Sequence, residues 1–209
     1  MKHSLIAAAM LALVGAANAQ VAWVPTDVVT RTESFNNIAG LPDLAAGTSL
    51  TIGDLTGGAA GTYQYTFTYL GQESGFSDSL HLVINGTNLT EFDAVGTSIS
   101  AVYGPGFANF NFEGDAGSFA INGGAKSPGT SIGLIGTDLT VTTGAAAGTY
   151  AFVLGYNDSA GTAKLGDWDD FVVGVNVAVV AVPEPETYAL MLAGLGAMGF
   201  VARRRQRQG

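Results

Sequence analysis

The chain contains no cysteine, so no disulfide braces it and no thiol serves as nucleophile or metal ligand. Histidine is almost as scarce. His3 lies among the first residues and His81 stands alone, which excludes Cys-His chemistry and leaves a Ser-His-Asp arrangement with no motif around any serine. Phosphate-binding loops, zinc motifs and dinucleotide fingerprints are also missing. The least implausible catalytic pair is Glu91 with Asp93, which share one face if that segment is extended, but acidic turns supply such pairs routinely. The expectation is a protein that is not an enzyme. Bases are few: within 20–182, Arg31, Lys126 and Lys164 stand against fifteen acids, a net charge of −12. Nucleic acid is therefore not a partner.

Helical periods are missing between the two termini, and the apolar residues instead alternate with polar ones. The clearest strand is 62–70, where Tyr63, Tyr65, Phe67 and Tyr69 share one face and Thr62, Gln64, Thr66 and Thr68 the other. The same period predicts strands at 79–84, 97–103, 108–112, 118–121, 131–135, 138–142, 149–154 and 171–180. Asn85-Gly86, Gly104-Pro105-Gly106, Asn122-Gly123-Gly124 and Ser127-Pro128-Gly129 supply the tight turns between them. The fold class is all-β, a jelly-roll-like β-sandwich over 20–182. Ala59-Ala60-Gly61-Thr62-Tyr63 is echoed by Ala146-Ala147-Gly148-Thr149-Tyr150. The echo marks either equivalent strands of the two sheets or two uses of a good strand start.

Both termini carry export features. Lys2 and His3 precede an apolar run from Leu5 to Val14 and the cleavage pattern Ala17-Asn18-Ala19, a secretory signal peptide over 1–19 removed by signal peptidase. At 183–209, Pro183-Glu184-Pro185 leads into an uncharged run over 187–202 and then Arg203-Arg204-Arg205-Gln206-Arg207. Sixteen helical residues span about 24 Å, short of a hydrocarbon core of about 30 Å, so this transmembrane helix relies on thinning and snorkelling arginines. The arginines hold the C-terminus in the cytoplasm.

Val182-Pro183-Glu184-Pro185, the abbreviated span and Arg203, Arg204 and Arg205, in that order, resemble the PEP-CTERM sorting signal. The resemblance implies recognition by an exosortase in the inner membrane, removal of the tail, and delivery to the cell surface or the exopolysaccharide matrix of a biofilm. Phe76-Ser77-Asp78-Ser79-Leu80 loosely resembles the F-x-D-x-F motif of one PEP-CTERM subfamily, with leucine replacing the second phenylalanine.

Asn157, Asp158, Asp167, Asp169 and Asp170 flank a small-residue loop before the last strand. They suit either a Ca²⁺ site, which takes six to eight oxygens, or plain turn formation, since no EF-hand spacing is present. Asp78 either fixes a turn or joins a cation site. For the sandwich two roles remain open: a structural or interaction protein of the matrix, or a carbohydrate-binding module whose exposed aromatics, Trp23, Tyr103 or Trp168, stack on sugar rings. Trp168, set between acids, is expected to be partly exposed.

Overall fold

The structure, a computed structural model, describes residues 21–31, 38, 40–41, 43–158, 167–180, 189–196, 198 and 203. The expected signal peptide and Val182, Pro183, Glu184, Pro185, Arg204 and Arg205 lie outside the described residues. Among the described residues the chain forms twelve strands: β1 (Ala22–Thr30), β2 (Ser49–Gly57), β3 (Thr62–Gly71), β4 (Ser79–Leu82), β5 (Thr87–Thr90), β6 (Ser98–Tyr103), β7 (Gly106–Phe107), β8 (Phe110–Glu113), β9 (Phe119–Ile121), β10 (Ser131–Val141), β11 (Gly148–Asn157) and β12 (Phe171–Val180). The larger sheet runs β1-β2-β10-β11-β12-β3-β6 with β7 beside β2, and the smaller runs β5-β4-β8-β9. Every pairing is antiparallel.

Alternation explains how the two sheets meet. Tyr63, Tyr65, Phe67 and Tyr69 turn inward from β3 and are buried, while Thr66 and Thr68 bond across to Ser100 and Ser98 on β6. From the smaller sheet, Phe110 meets Phe67 edge-on at 4.9 Å between centroids, and Phe112 stacks on Tyr156 at 5.3 Å and meets Phe171 edge-on at 6.2 Å. Such aromatic pairs add about 0.5–1.5 kcal/mol each beyond their buried area, so they pin the facing of the sheets. The opposite face of the larger sheet buries Leu70, Ile135, Val141, Tyr150, Val153 and Val172 beneath Ile38 and Leu41. A β-sandwich results, with a second apolar layer outside its larger sheet.

The structure revises several sequence expectations. The segments 131–135 and 138–142 belong to one strand, β10, whose register against β11 slips between Leu134 and Gly136 and whose Asp138 adopts a positive φ of 51°. That irregularity breaks the alternation without ending the pairing. β1, β2, β5 and β7 had no counterpart among the expected strands. The repeated Ala-Ala-Gly-Thr-Tyr segments do not head equivalent strands of two sheets, because β3 and β11 flank β12 in the same sheet. They share a local role instead: the Tyr63 hydroxyl donates to the Ala60 carbonyl and the Tyr150 hydroxyl to the Ala146 carbonyl, each at 2.7 Å. Each tyrosine thereby closes the turn before its own strand.

One polar joint ties the two sheets together. Asn122, just after β9, accepts from the Leu55 amide at 2.6 Å and donates to the Leu55 and Ala108 carbonyls at 2.7 and 2.8 Å. It thus pairs a β2 peptide as another strand would. Beside it, Asp54 accepts from the Gly123 amide at 2.8 Å and from Lys126 Nζ at 2.9 Å. Residues 189–196 are helical, with Leu190, Met191, Leu192 and Leu195 exposed. Among the described residues no helix is long and apolar enough to cross a membrane.

Candidate functional site

The acids flagged in the sequence gather where β11 ends and β12 begins, but they divide into two groups. Asp158 and Asp170 come together: the Asp158 amide donates to Asp170 Oδ2 at 2.8 Å, and the Ser74 hydroxyl donates to Asp158 Oδ2 at 3.0 Å. Asp169 goes elsewhere, approaching Arg31 Nη2 at 4.0 Å with both side chains buried. Asn157 is buried as the last residue of β11, and Asp167 is half-buried. Among the described residues no group of three or more His, Cys, Asp or Glu side chains is arranged to hold a metal ion.

Asp78 joins the first group from the smaller sheet. It precedes β4, is 2% exposed, and among the described residues neither of its carboxylate oxygens has a hydrogen-bond partner. Burial pushes its pKa up to about 8, with the nearby charge of Asp158 adding and the Ser74 hydroxyl opposing. The Ser74 proton itself goes to Asp158, so its effect on Asp78 is one of proximity. Burial likewise raises Asp170 to about 9, against the stabilising amide of Asp158. Asp169 rises to about 8, mainly through burial and next through its contact with Asp167, with Arg31 opposing. Gly114 and Ser118 complete the surroundings. A Cβ on Gly114 would lie 2.5 Å from Asp78 Oδ1, 2.5 Å from Ser118 Oγ and 3.4 Å from Asp158 Cβ, so only glycine leaves these groups in place. Ser118 Oγ also bonds the Tyr156 hydroxyl at 3.2 Å.

Both tryptophans are positioned by glycines. Trp168 is not partly exposed as expected but 1% exposed. Its indole lies over Gly133, where a Cβ would come within 2.8 Å of the ring, its backbone and Cβ lie against Gly155, the register partner of Gly133, and its Nε1–H donates to Ser131 Oγ at 2.9 Å. Two missing side chains form its seat, and this removes it from any surface site. Tyr103 is also buried in the core, with its hydroxyl on the Asn109 carbonyl. Trp23 is half-buried, its Nε1–H on Thr51 Oγ1 at 3.1 Å, and it lines an open groove of about 860 Å³ together with Val21, Tyr63, Asp138, Phe152 and Val179.

The remaining candidates have local duties. His81 Nε2 lies 2.9 Å from Ser79 Oγ and 3.5 Å from Glu113 Oε2. Both neighbours address the same ring nitrogen, so the imidazole cannot relay a proton between them. Glu91 and Asp93 sit in a turn rather than on one strand face. Glu91 Oε2 receives the Asp78 amide at 3.4 Å, and Asp93 Oδ2 receives the Thr90 amide at 2.7 Å. Sequence reasoning did not single out Ser74, Gly114 and Ser118, which are ordinary turn residues brought to the acids only by tertiary pairing.

Neither the curated proteins nor the solved structures provide a match to the chain. Residues 181–205 do match the family model of the PEP-CTERM protein-sorting motif, so the chain carries, directly after its last strand, a PEP-CTERM signal that marks it for export and exosortase sorting.

Proposed function

We propose that this is an exported surface or matrix protein whose β-sandwich has a structural or interaction role in exopolysaccharide or biofilm, and that it performs no catalysis. The sorting motif at 181–205 carries the reading. In it, signal peptidase removes 1–19, the apolar segment over 187–202 holds the chain in the inner membrane, and exosortase releases 20–182 near Pro183-Glu184-Pro185. The −12 charge of that released body suits a soluble, hydrated matrix component. Deleting 183–209, or replacing Arg203, Arg204, Arg205 and Arg207 by glutamine, is expected to abolish surface delivery. Normal delivery of both variants would overturn the proposal.

A second reading, carbohydrate binding, is favoured by one observation: Trp23 lines an open groove beside Tyr63 and Phe152. An indole lining an open trough beside other aromatic side chains is suited to stacking on a sugar ring. Trp23→Ala is then expected to weaken retention on the producer's exopolysaccharide by about tenfold, equivalent to about 1.4 kcal/mol. Unchanged retention leaves the groove without this role.

A further inference from the structure

The pole where β11 gives way to β12 holds charge that the fold does not balance. Asp78 is almost wholly buried, and among the described residues its two oxygens lack hydrogen-bond partners. Its neighbours are acids: Asp158 beside it, Glu91 on its own amide, and Asp115 on the amide of Ser77. The described bases of the domain face other carboxylates, Lys126 at 2.9 Å from Asp54 and Arg31 at 4.0 Å from Asp169. A desolvated carboxylate in such company needs a proton or a cation.

Geometry favours the cation. Asp78 Oδ1 and Ser118 Oγ converge over Gly114, each 2.5 Å from the point a Cβ would occupy, so the two oxygens are at most about 5 Å apart, a separation that one Ca²⁺ with bonds of about 2.4 Å bridges. Asp158 stands on the same side and is held there by its amide on Asp170. A surface cavity of about 320 Å³, lined by Asn111, Glu113, Gly114 and Ser118, shares Gly114 and Ser118 with this point. The donors are all oxygen, without thiol or imidazole, which selects a hard cation.

We propose that Asp78 and Asp158 are the carboxylate ligands of a calcium site that clamps the start of β4 to the end of β11, with the Ser118 and Ser74 hydroxyls and water completing the oxygen shell. Two carboxylates match the double charge, and Asp170 acts as a positioning residue through the Asp158 amide. The irregular donors favour Ca²⁺ over Mg²⁺, which demands a near-ideal octahedron at about 2.1 Å.

The test uses the full-length chain in mild detergent, stripped with EDTA and titrated with CaCl₂ by calorimetry and thermal unfolding, with MgCl₂ in parallel. One saturable Ca²⁺ site is expected, with a melting temperature raised by about 5–10 °C at a hundredfold excess over Kd. Asp78→Asn should lose both signals, whereas Asp27→Asn, an exposed acid on β1, should keep them. If Asp78→Asn does not fold, Gly114→Ala serves in its place, since its methyl intrudes between the two oxygens. No heat and no shift in the unmodified chain up to 10 mM CaCl₂ (about tenfold above the weakest extracellular calcium sites), an equal response to MgCl₂, or calcium binding retained by Asp78→Asn would each overturn the proposal.

Discussion

Two polar joints connect the sheets, and they are built on opposite principles. At Asn122 both atoms of the side-chain amide have protein partners, the Leu55 peptide and the Ala108 carbonyl, and Asp54 is balanced through Oδ1 by Lys126 and the Gly123 amide. At Asp78 the carboxylates face one another and no base is within reach among the described residues. The first joint is complete as folded. The second is complete only with something added, and that contrast separates a structural polar cluster from a binding one better than a count of acids does.

The largest effect is expected at the balanced joint. Asn122→Ala leaves the Leu55 amide without this partner and removes one hydrogen bond from each of the Leu55 and Ala108 carbonyls, which keep the Ala108 and Phe110 amides at 3.3 and 3.0 Å. The loss should be about 3–5 kcal/mol, measured by denaturant unfolding. A loss below about 1 kcal/mol would mean that the peptide finds another partner and that the joint is not as tight as its distances imply. Next comes the seat of Trp168. Gly155→Ala sets a methyl against the Trp168 backbone and Cβ, and should destabilise by about 1–3 kcal/mol or more, with a change in tryptophan fluorescence.

The unbalanced joint predicts an unusual pH profile. Asp78, Asp169 and Asp170 have native pKa values raised to about 8, 8 and 9, against about 4 in an unfolded chain. Between those values the native state binds more protons than the unfolded one, so stability falls as pH rises. Their contribution is fully present below about pH 4 and lost as pH climbs through 8–9. In EDTA, melting temperature should therefore drop from pH 5 to pH 9, and a flat or rising profile would remove the contrast between the joints. The smallest effect belongs to Lys126→Met. The lysine is partly exposed, so the loss should be about 1 kcal/mol and should weaken with salt in the parent protein.

Local patterns in the sequence were legible where a single period carried them. The Tyr63 to Tyr69 row could be read from alternation, because each residue's face is set by its immediate neighbours, and β12 occupies its expected span although its first five residues are all buried. β1 escaped because Pro25 and the register slip before Asp27 break its alternation, and β2 because Gly53 and Asp54 interrupt it. The burial of Trp168 could not be read from its acidic flanks, since it depends on two glycines paired across β10 and β11. For the candidate site, the sequence supplied Asp78, Asp158 and Asp170 separately. Their meeting spans some eighty residues and rests on the packing of the sheets, which no local spacing encodes.

β12 carries one further consequence. Its first residue, Phe171, follows the acidic pole directly, and its last, Val180, precedes the matched sorting motif by a single step. Ten extended residues measure about 33 Å, so one strand separates the acidic pole from the start of the matched motif. In the proposed sorting route, an ion or partner taken up at the acids is bound one strand's length from the segment on which exosortase acts.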